Sequence, residues 1–583
     1  MARGRAAAAG AWDEPTVVVV ERRGRFEVGE PVFERGPQVP LARGSRAEVG
    51  RMALVKPGRN GARVLRALGR PGSARDVIEA LLADRGLRRG FSDVVDGEAA
   101  DAASATRADP GPRQDLTELP TFTVDPATAR DFDDAVSARA EDGGVRLWIH
   151  IADVAAHVKP GTALDAEAYA RANSTYVPGT VEPMLPQALS ADACSLAPDV
   201  ERLAVTAEIA LSSAGEPRSA SYARTLVRSD TRLDYDSLDE VFAGRADAPQ
   251  SIAEPLALAR DVAAALFERR PGSALSVSST EPEFSFDDGD VVGARDVAHT
   301  EAHRLIEQLM ILCNEQVATH LERRKAPTLY RVHEQPDTER IVVLIEQLAA
   351  LGVPTPPVPD TFGPSEAGEL AGEASRLVAA EAKRRGHGRE AYTTLVLRAL
   401  KQAVYDYRNI GHAGLGSPAY AHFTSPIRRY PDLIAHRALL AALGAGEERP
   451  DPSRVREAGV HCSERERDAV RIERDADSIC AAFLLRRELF ESGWDKQFEG
   501  EVSGLVGAGA FVRFGGDLAD CYEGFLPVRL LRGEWFELND TETALVGRRS
   551  GRAVRLGDPV TVSVDAVEAP RGRVDLAPVK AAR

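Results

Sequence analysis

Cysteine is scarce. The 583 residues hold five, Cys194, Cys313, Cys462, Cys480 and Cys521, an odd number, widely scattered and without a C-x-x-C pair. That excludes a disulfide framework and a structural zinc site, and leaves buried or inert thiols suited to a reducing compartment. Long apolar runs are missing as well. No segment approaches the roughly 20 residues a membrane span needs, and the alanines of "MARGRAAAAGAWDEP" give way to Trp12, Asp13 and Glu14 too early for a signal sequence. A cytoplasmic chain with no membrane partner is the expectation. Positive charge is in deficit: 73 basic against 89 acidic residues leave a net charge of -16. This argues against a protein coated in DNA over its whole surface, while a groove with local Lys and Arg could still hold a nucleic acid. No internal repeat or low-complexity tract stands out.

What is there is enough for several cores, and the length predicts two to four domains. "TVVVVERRGRFEV", "AEVGRMALVKPG" and "ARVLRALG" read as short strands punctuated by Gly and Pro, a small barrel over residues 1–80. "SARDVIEALLADRGL" has helical spacing with Ser73 as N-cap. The small, polar stretch "DVVDGEAADAASATRADPGPR" reads as a mobile linker, so residues 81–113 are expected to be helix and linker. Residues 114–493 open with strands ("LPTFTV", "VRLWIHIADV", "RLAVTAEIALS") and turn helical ("EAHRLIEQLMILCNEQVATHLERR", "REAYTTLVLRALKQAVYDYRN", then Pro452 to Ser492), which predicts an α+β domain. In the Pro452–Ser492 stretch Val455, Val460, Val470, Ile479, Phe483 and Leu484 supply apolar positions. Residues 494–583 return to short strands with glycine bends, as in an OB-type barrel.

The densest chemistry lies in "VDPATARDFDDAV", where Asp125, Asp131, Asp133 and Asp134 fall within ten residues. Enclosed carboxylates so close must protonate or share a cation, and hard oxygen donors suit Mg²⁺ or Mn²⁺. A solvated acidic loop is the competing reading. An EF-hand fails, because a loop begun at Asp125 puts Arg130 and Val136 where Gly and Glu are required. Asp125, before Pro126, is biased to extended backbone at a strand end. Convergence of the other three requires the "PATAR" segment to turn.

Four segments in order decide between these readings. "DLTELPTFTVDPATARDFDDAVSA" with "VRLWIHIADVAAHV", then "STYVPGTVEPMLPQALSADACSL", "EAHRLIEQLMILCNEQVA" and "AYAHFTSPIRRYPDLIAHR", together resemble the RNB catalytic domain of the ribonuclease II and ribonuclease R family. The resemblance spans most of residues 115–440. The flanking β units look like a cold-shock-type OB domain before it and an S1-type OB domain after it.

That resemblance implies a Mg²⁺-dependent, processive 3′→5′ exoribonuclease, with Mn²⁺ as a possible substitute, releasing nucleoside 5′-monophosphates from single-stranded RNA. A monomer with no obligate protein partner is the expectation. Asp125, Asp131, Asp133 and Asp134 match the family's metal-binding aspartates, with Asp133 most tied to the chemical step. Arg428 matches an arginine that contacts phosphate at the scissile bond; Arg429 is left open between that role and a structural one. Tyr176 matches a base-stacking tyrosine, while Tyr235 and Glu307 match residues that hold the terminal nucleotide. One departure stands out: where the family commonly reads "GALxF", this chain reads "GSALSVSS", with Val277 nearest the place of a clamp phenylalanine and Phe284 or Phe286 as alternatives. His150 reads as a core histidine rather than a general base, and His422 and His436, flanking the arginine motif, as structural or as supports just behind the site. In the last barrel Phe511 and Phe514, three apart, face opposite sides of a strand, one for RNA and one for the core, with Tyr522 and Phe525 open to either use. An inactive RNB scaffold that only binds RNA is the alternative, and a DNA-directed or endonucleolytic metallonuclease a third reading. The presence of all four aspartates and Arg428 argues against the inactive scaffold.

Overall fold

The β-branched segments build the sheet on which the aspartates sit. In the computed structural model, which describes residues 14–34, 36–42, 47–58, 61–270, 274–275, 281–531 and 534–579, seven strands lie side by side. Their order is Thr231–Asp234, Phe122–Asp125, Asp134–Glu141, Gly144–Ala152, Glu201–Ser212, Pro217–Arg228 and Gln114–Asp115. The central pairs are antiparallel, and both edge strands run parallel to their neighbours. One of those parallel edges sets Asp234 beside Asp125.

Leu147, Ile149, Ile151, Val205 and Ile209 are fully buried on the sheet, each contributing about 1.5–3 kcal/mol. Helices Ala253–Glu268 and Glu301–Arg323 pack against it. A buried polar chain crosses the sheet: Thr121 to Ser137 (2.7 Å), Ser137 to His150 Nε2 (3.1 Å), His150 Nδ1 to Thr206 (2.8 Å) and Thr206 to Thr225 (2.6 Å). His150 is therefore a satisfied core residue. Burial holds its imidazole neutral, with the pKa pushed down to about 3.

Two expectations are corrected. The supposed linker contains a helix, Asp93–Ala108, capped by the Ser92 side chain. Val95, Ala99 and Ala103, four residues apart, form its buried stripe, so small residues that read as a linker serve close packing against helix Ala163–Arg171. "REAYTTLVLRALKQAVYDYRN" is helical only to Ala399, after which Val404–Asp406 pairs with strand Tyr330–Val332. The expected cap at Ser73 is present, accepting from the Asp76 amide.

The small β units share one topology. In the first, Thr16–Arg23 pairs antiparallel with Phe26–Pro31 and Met52–Lys56, these pair in turn with the outer strands Val39–Pro40 and Arg63–Ala67, and a parallel bridge from Leu41 to Ala62 joins the two outer strands at their ends. In the last, five strands between Gln497 and Pro578 close a barrel with a parallel join at Phe525 and Asp575. A three-stranded sheet, Phe536–Leu538, Ala544–Gly547 and Ala553–Arg555, is inserted between its third and fourth strands.

The helix Pro452–Ser492 ties these parts together. At 1.5 Å per residue it is about 60 Å long, and it packs on helix Ala74–Asp84, on strand Thr175–Val177 and on the last barrel. Val455, Ile479, Phe483 and Leu484 are buried, whereas Val460 and Val470 face solvent. Near its end buried Glu488 accepts from Tyr522 (2.8 Å), Lys496 (2.8 Å) and the Asp517 amide (3.1 Å). Tyr522 and Phe514 are barrel core, and Phe511 is the exposed member of the pair. Phe511 lies opposite Phe525 with ring centroids 5.2 Å apart.

Candidate active site

Three segments far apart in sequence meet above the sheet. The turn after strand Phe122–Asp125 carries Asp131 and Asp133, and Asp134 opens the next strand. Arg232, on the parallel edge strand, staples this turn by donating to the carbonyls of Pro126 (2.8 Å) and Ala127 (2.9 Å). Its guanidinium lies over the Phe132 ring. The same edge strand ends at Asp234, which caps helix Tyr235–Phe242 and so delivers Tyr235 next to Asp125.

The second segment is the hairpin Thr175–Val177 and Thr180–Glu182, closed by Pro178 and Gly179. Gly179 has φ +79°, the left-handed value a Pro-Gly turn requires. Thr175, Val177 and Glu182 are buried while Tyr176 is 40% exposed, so the alternation of the strand presents the tyrosine to the cleft. Its hydroxyl donates to Asp131 Oδ2 at 3.3 Å and its amide to Glu473 of the long helix at 2.8 Å.

The third segment is "TSPIRRY". The Ile427 amide donates to Asp133 Oδ1 at 2.8 Å, and Arg428 Nε lies 3.6 Å from Asp133 Oδ2. Arg428 also donates to Ser425 Oγ at 3.2 Å, yet its side chain stays 44% exposed. Arg429 turns the other way, forking onto fully buried Asp432 at 2.9 and 2.8 Å. Asp432 in turn accepts the Ser425 amide. Arg429 thus shapes the turn, and Arg428, half-exposed beside Asp133, is the guanidinium that can also meet an anion.

All eight residues singled out from the sequence, Asp125, Asp131, Asp133, Asp134, Tyr176, Tyr235, Glu307 and Arg428, line one cleft of about 500 Å³. His422 lines it too, tied to the Tyr405 hydroxyl at 2.8 Å. His436 is buried elsewhere, stacked on Phe423. Neither Phe284 nor Phe286 reaches this cleft; both pack against the core shared by the long helix and the barrels. Val277 lies outside the described residues.

The electrostatics are strained in one direction. Burial, then the Asp134 charge, pushes Asp125 up to about 8. Burial raises Asp134 to about 6 against the pull of Arg428, and it holds Asp133 well above the usual carboxylate range. Asp125 Oδ2 is buried without a hydrogen-bond partner. Among the described residues no three acidic, histidine or cysteine side chains gather round one point. An orphaned carboxylate oxygen among raised, mutually repelling carboxyls still fits a hard divalent cation, the species that would relieve both.

A family model described as the RNB domain matches residues 113–445. The chain belongs to the RNB domain family. It is 35% identical over 495 residues to ribonuclease R of Escherichia coli (strain K12), covering 81% of this chain and 58% of that protein. It is likewise 35% identical over 473 residues to ribonuclease R of Aquifex aeolicus (strain VF5), covering 79% and 64%. The chain therefore spans about three fifths of the length of these curated relatives. By fold, this RNB chain is similar to Mycoplasma genitalium RNase R, solved with ribose-methylated single-stranded RNA (TM-score 0.85, 24% identity, 98% of this chain and 90% of the other). It is also similar to yeast Ssd1, described as a pseudonuclease (TM-score 0.66, 16% identity, 91% and 67%). These likenesses carry the fold.

Sequence reasoning missed several residues of this RNB cleft. Ser425 holds Arg428, Arg232 holds the aspartate turn, and Asn314 ties the cleft floor by donating to Tyr420 (3.0 Å) and accepting from the Phe423 amide (2.9 Å). Ser425 alone had a signal, its place three residues before Arg428.

Proposed function

We propose that this chain is a divalent-metal-dependent, processive exoribonuclease that hydrolyses single-stranded RNA from the 3′ end to nucleoside 5′-monophosphates. The observation that carries this is the convergence of four aspartates, one half-exposed arginine and two tyrosines in a single cleft. Asp125, Asp131, Asp133 and Asp134 would hold Mg²⁺ or Mn²⁺, which when bound lowers the pKa of an attacking water and neutralises charge on the phosphodiester. Arg428 binds a phosphate oxygen and stabilises the charge that builds up as the bond breaks. Tyr176 stacks on a base without selecting its identity, as a strand advancing one nucleotide at a time requires. Tyr235 and Glu307 hold the terminal nucleotide. Exposed Phe511, with Phe525 beside it, gives the last barrel a stacking surface for the incoming strand.

With this reading go a division into residues 1–80, 81–113, 114–493 and 494–583, a monomeric state and a cytoplasmic location. Among the described residues no helix is long and apolar enough to cross a membrane. The similarity to a pseudonuclease fold keeps an inactive scaffold as the second reading, against which the intact cleft argues. The variant Asp133→Asn is expected to bind single-stranded RNA as the parent does while hydrolysing none of it. Degradation at the parent rate would remove Asp133 from the chemistry.

A further inference from the structure

Tyr235 and Glu307 form one wall of the cleft but come from different helices, Tyr235–Phe242 and Glu301–Arg323. Two side chains that must grip one nucleotide need their spacing fixed by a third group. His303 sits where that group has to be. Its ring lies on the Tyr235 ring with centroids 3.9 Å apart and planes 9° from parallel, a face-to-face stack. It is on the same helix as Glu307 and four residues before it, hence on the same helical face.

The imidazole is held on its far side as well. Nδ1 accepts from the Thr300 amide at 3.4 Å and meets Thr300 Oγ1 at 2.8 Å, closing a capping box at the helix start. With Nδ1 an acceptor, the ring proton is placed on Nε2. The start of that helix is fastened to its surroundings by the Ala302 amide donating to Asp239 (3.2 Å) and by Arg260 forking onto Glu301 (2.6 and 2.9 Å). His299 completes the cluster, 3.8 Å from the Glu307 carboxylate and 5.7 Å, ring to ring, from His303. His303 itself does not line the cleft.

We propose that His303 is a positioning residue: stacked on Tyr235 and locked to the helix that carries Glu307, it fixes the wall that receives the 3′-terminal nucleotide. This deepens the exoribonuclease reading and rests on it. One face of Tyr235 is occupied by the imidazole, so the tyrosine offers the nucleotide only its opposite face and its hydroxyl. Losing the stack frees the phenol ring to rotate, and the terminal nucleotide is then held in several poses rather than one.

The test is a double-mutant cycle read in binding and in turnover. Dissociation constants of a 5′-fluorescein single-stranded RNA are measured by anisotropy in EDTA, and kcat and KM with Mg²⁺, for the full chain and for His303→Ala, His303→Phe, His303→Gln, Tyr235→Ala and the double variant. His303→Ala is expected to weaken binding and raise KM by about threefold to tenfold, the range an aromatic pair supplies. His303→Phe, which keeps the ring and loses the cap, should stay within about twofold of the parent. His303→Gln, which keeps a cap acceptor and loses the ring, should behave like His303→Ala. In the Tyr235→Ala background, His303→Ala should add less than about twofold. The proposal is overturned if the two losses simply multiply, or if Gln rescues and Phe does not, which is the pattern of a helix cap alone. Should His303→Ala fail to fold, the contrast between Phe and Gln decides. A parent protein that binds RNA but hydrolyses none would refute the nuclease reading, and the cycle in binding would still decide the place of His303.

Discussion

Replacing Asp133 with asparagine should stabilise the metal-free protein while abolishing hydrolysis. The side chain is 5% exposed, accepts the Ile427 amide and faces Arg428 at 3.6 Å. Asparagine keeps the size and the amide acceptor and removes only the charge. What is lost is an ion pair with a guanidinium that is 44% exposed, worth about 1 kcal/mol or less once water screens it. What is gained is relief of a buried carboxylate's desolvation, several kcal/mol per ion, and of repulsion from Asp131 and Asp134. The raised carboxyl shows which side prevails: its penalty is absent below the ordinary value of 3.8 and grows as pH rises through the folded value. At pH 8 the net gain should be about 1–3 kcal/mol. For a domain of roughly 380 residues that unfolds with about 2 cal/mol/K per residue, this is a rise of about 1–4 °C in Tm. Differential scanning fluorimetry in EDTA, then with Mg²⁺ or Mn²⁺, measures it. The wild type should gain stability from metal and the variant little. A variant that melts below the wild type in EDTA, or that keeps the full metal-induced shift, would refute the reasoning.

Other outcomes follow from the same geometry. Arg428→Ala should lower kcat by about 10²–10³, the usual loss when one donor to a developing anion is removed, with RNA affinity changed far less; Arg428→Lys should recover only part, since the fork is gone. Phe514→Ala should cost about 3–5 kcal/mol in the last barrel, whereas Phe511→Ala should leave the melt unchanged and weaken binding of long RNA, both read by fluorimetry and anisotropy. Acid should destabilise the fold through three buried histidines: burial drives His150 down to about 3 and both His157 and His436 to about 4. Above the ordinary value of 6.5 both folded and unfolded states are neutral; below it the unfolded chain takes up protons that the folded chain refuses. Each histidine should then remove up to about 1.4 kcal/mol per pH unit between pH 6.5 and 4, so His150→Gln should flatten the dependence of urea midpoints on pH.

The sequence carried the chemistry further than the packing. The aspartates, Arg428 and the three cleft residues Tyr176, Tyr235 and Glu307 could be named because each sits in a short motif with a fixed neighbourhood. The role of Arg429 stays open in the sequence, because an arginine adjacent to Arg428 looks like it until buried Asp432 claims it. Phe511 and Phe514 were correctly opposed by strand alternation, but only the barrel's closure shows which side is inside. The helix Asp93–Ala108 reads as a linker in the sequence because its stripe is mostly alanine, whose small side chains give little periodic signal yet allow close approach. Arg232 was invisible for a different reason: its value lies in reaching two carbonyls more than 100 residues earlier.

The central claim is that the aspartate cleft holds a divalent cation that drives exonucleolytic cleavage from the 3′ end. One assay tests it: purified protein with 5′-labelled linear single-stranded RNA, the same RNA circularised, and a DNA of equal sequence, each with Mg²⁺ and with EDTA. The account predicts that only linear RNA is shortened, from its 3′ end to a short labelled remnant with nucleoside 5′-monophosphates released, and that EDTA stops the reaction. Cleavage of the circle or the DNA, or unchanged degradation in EDTA, would contradict it.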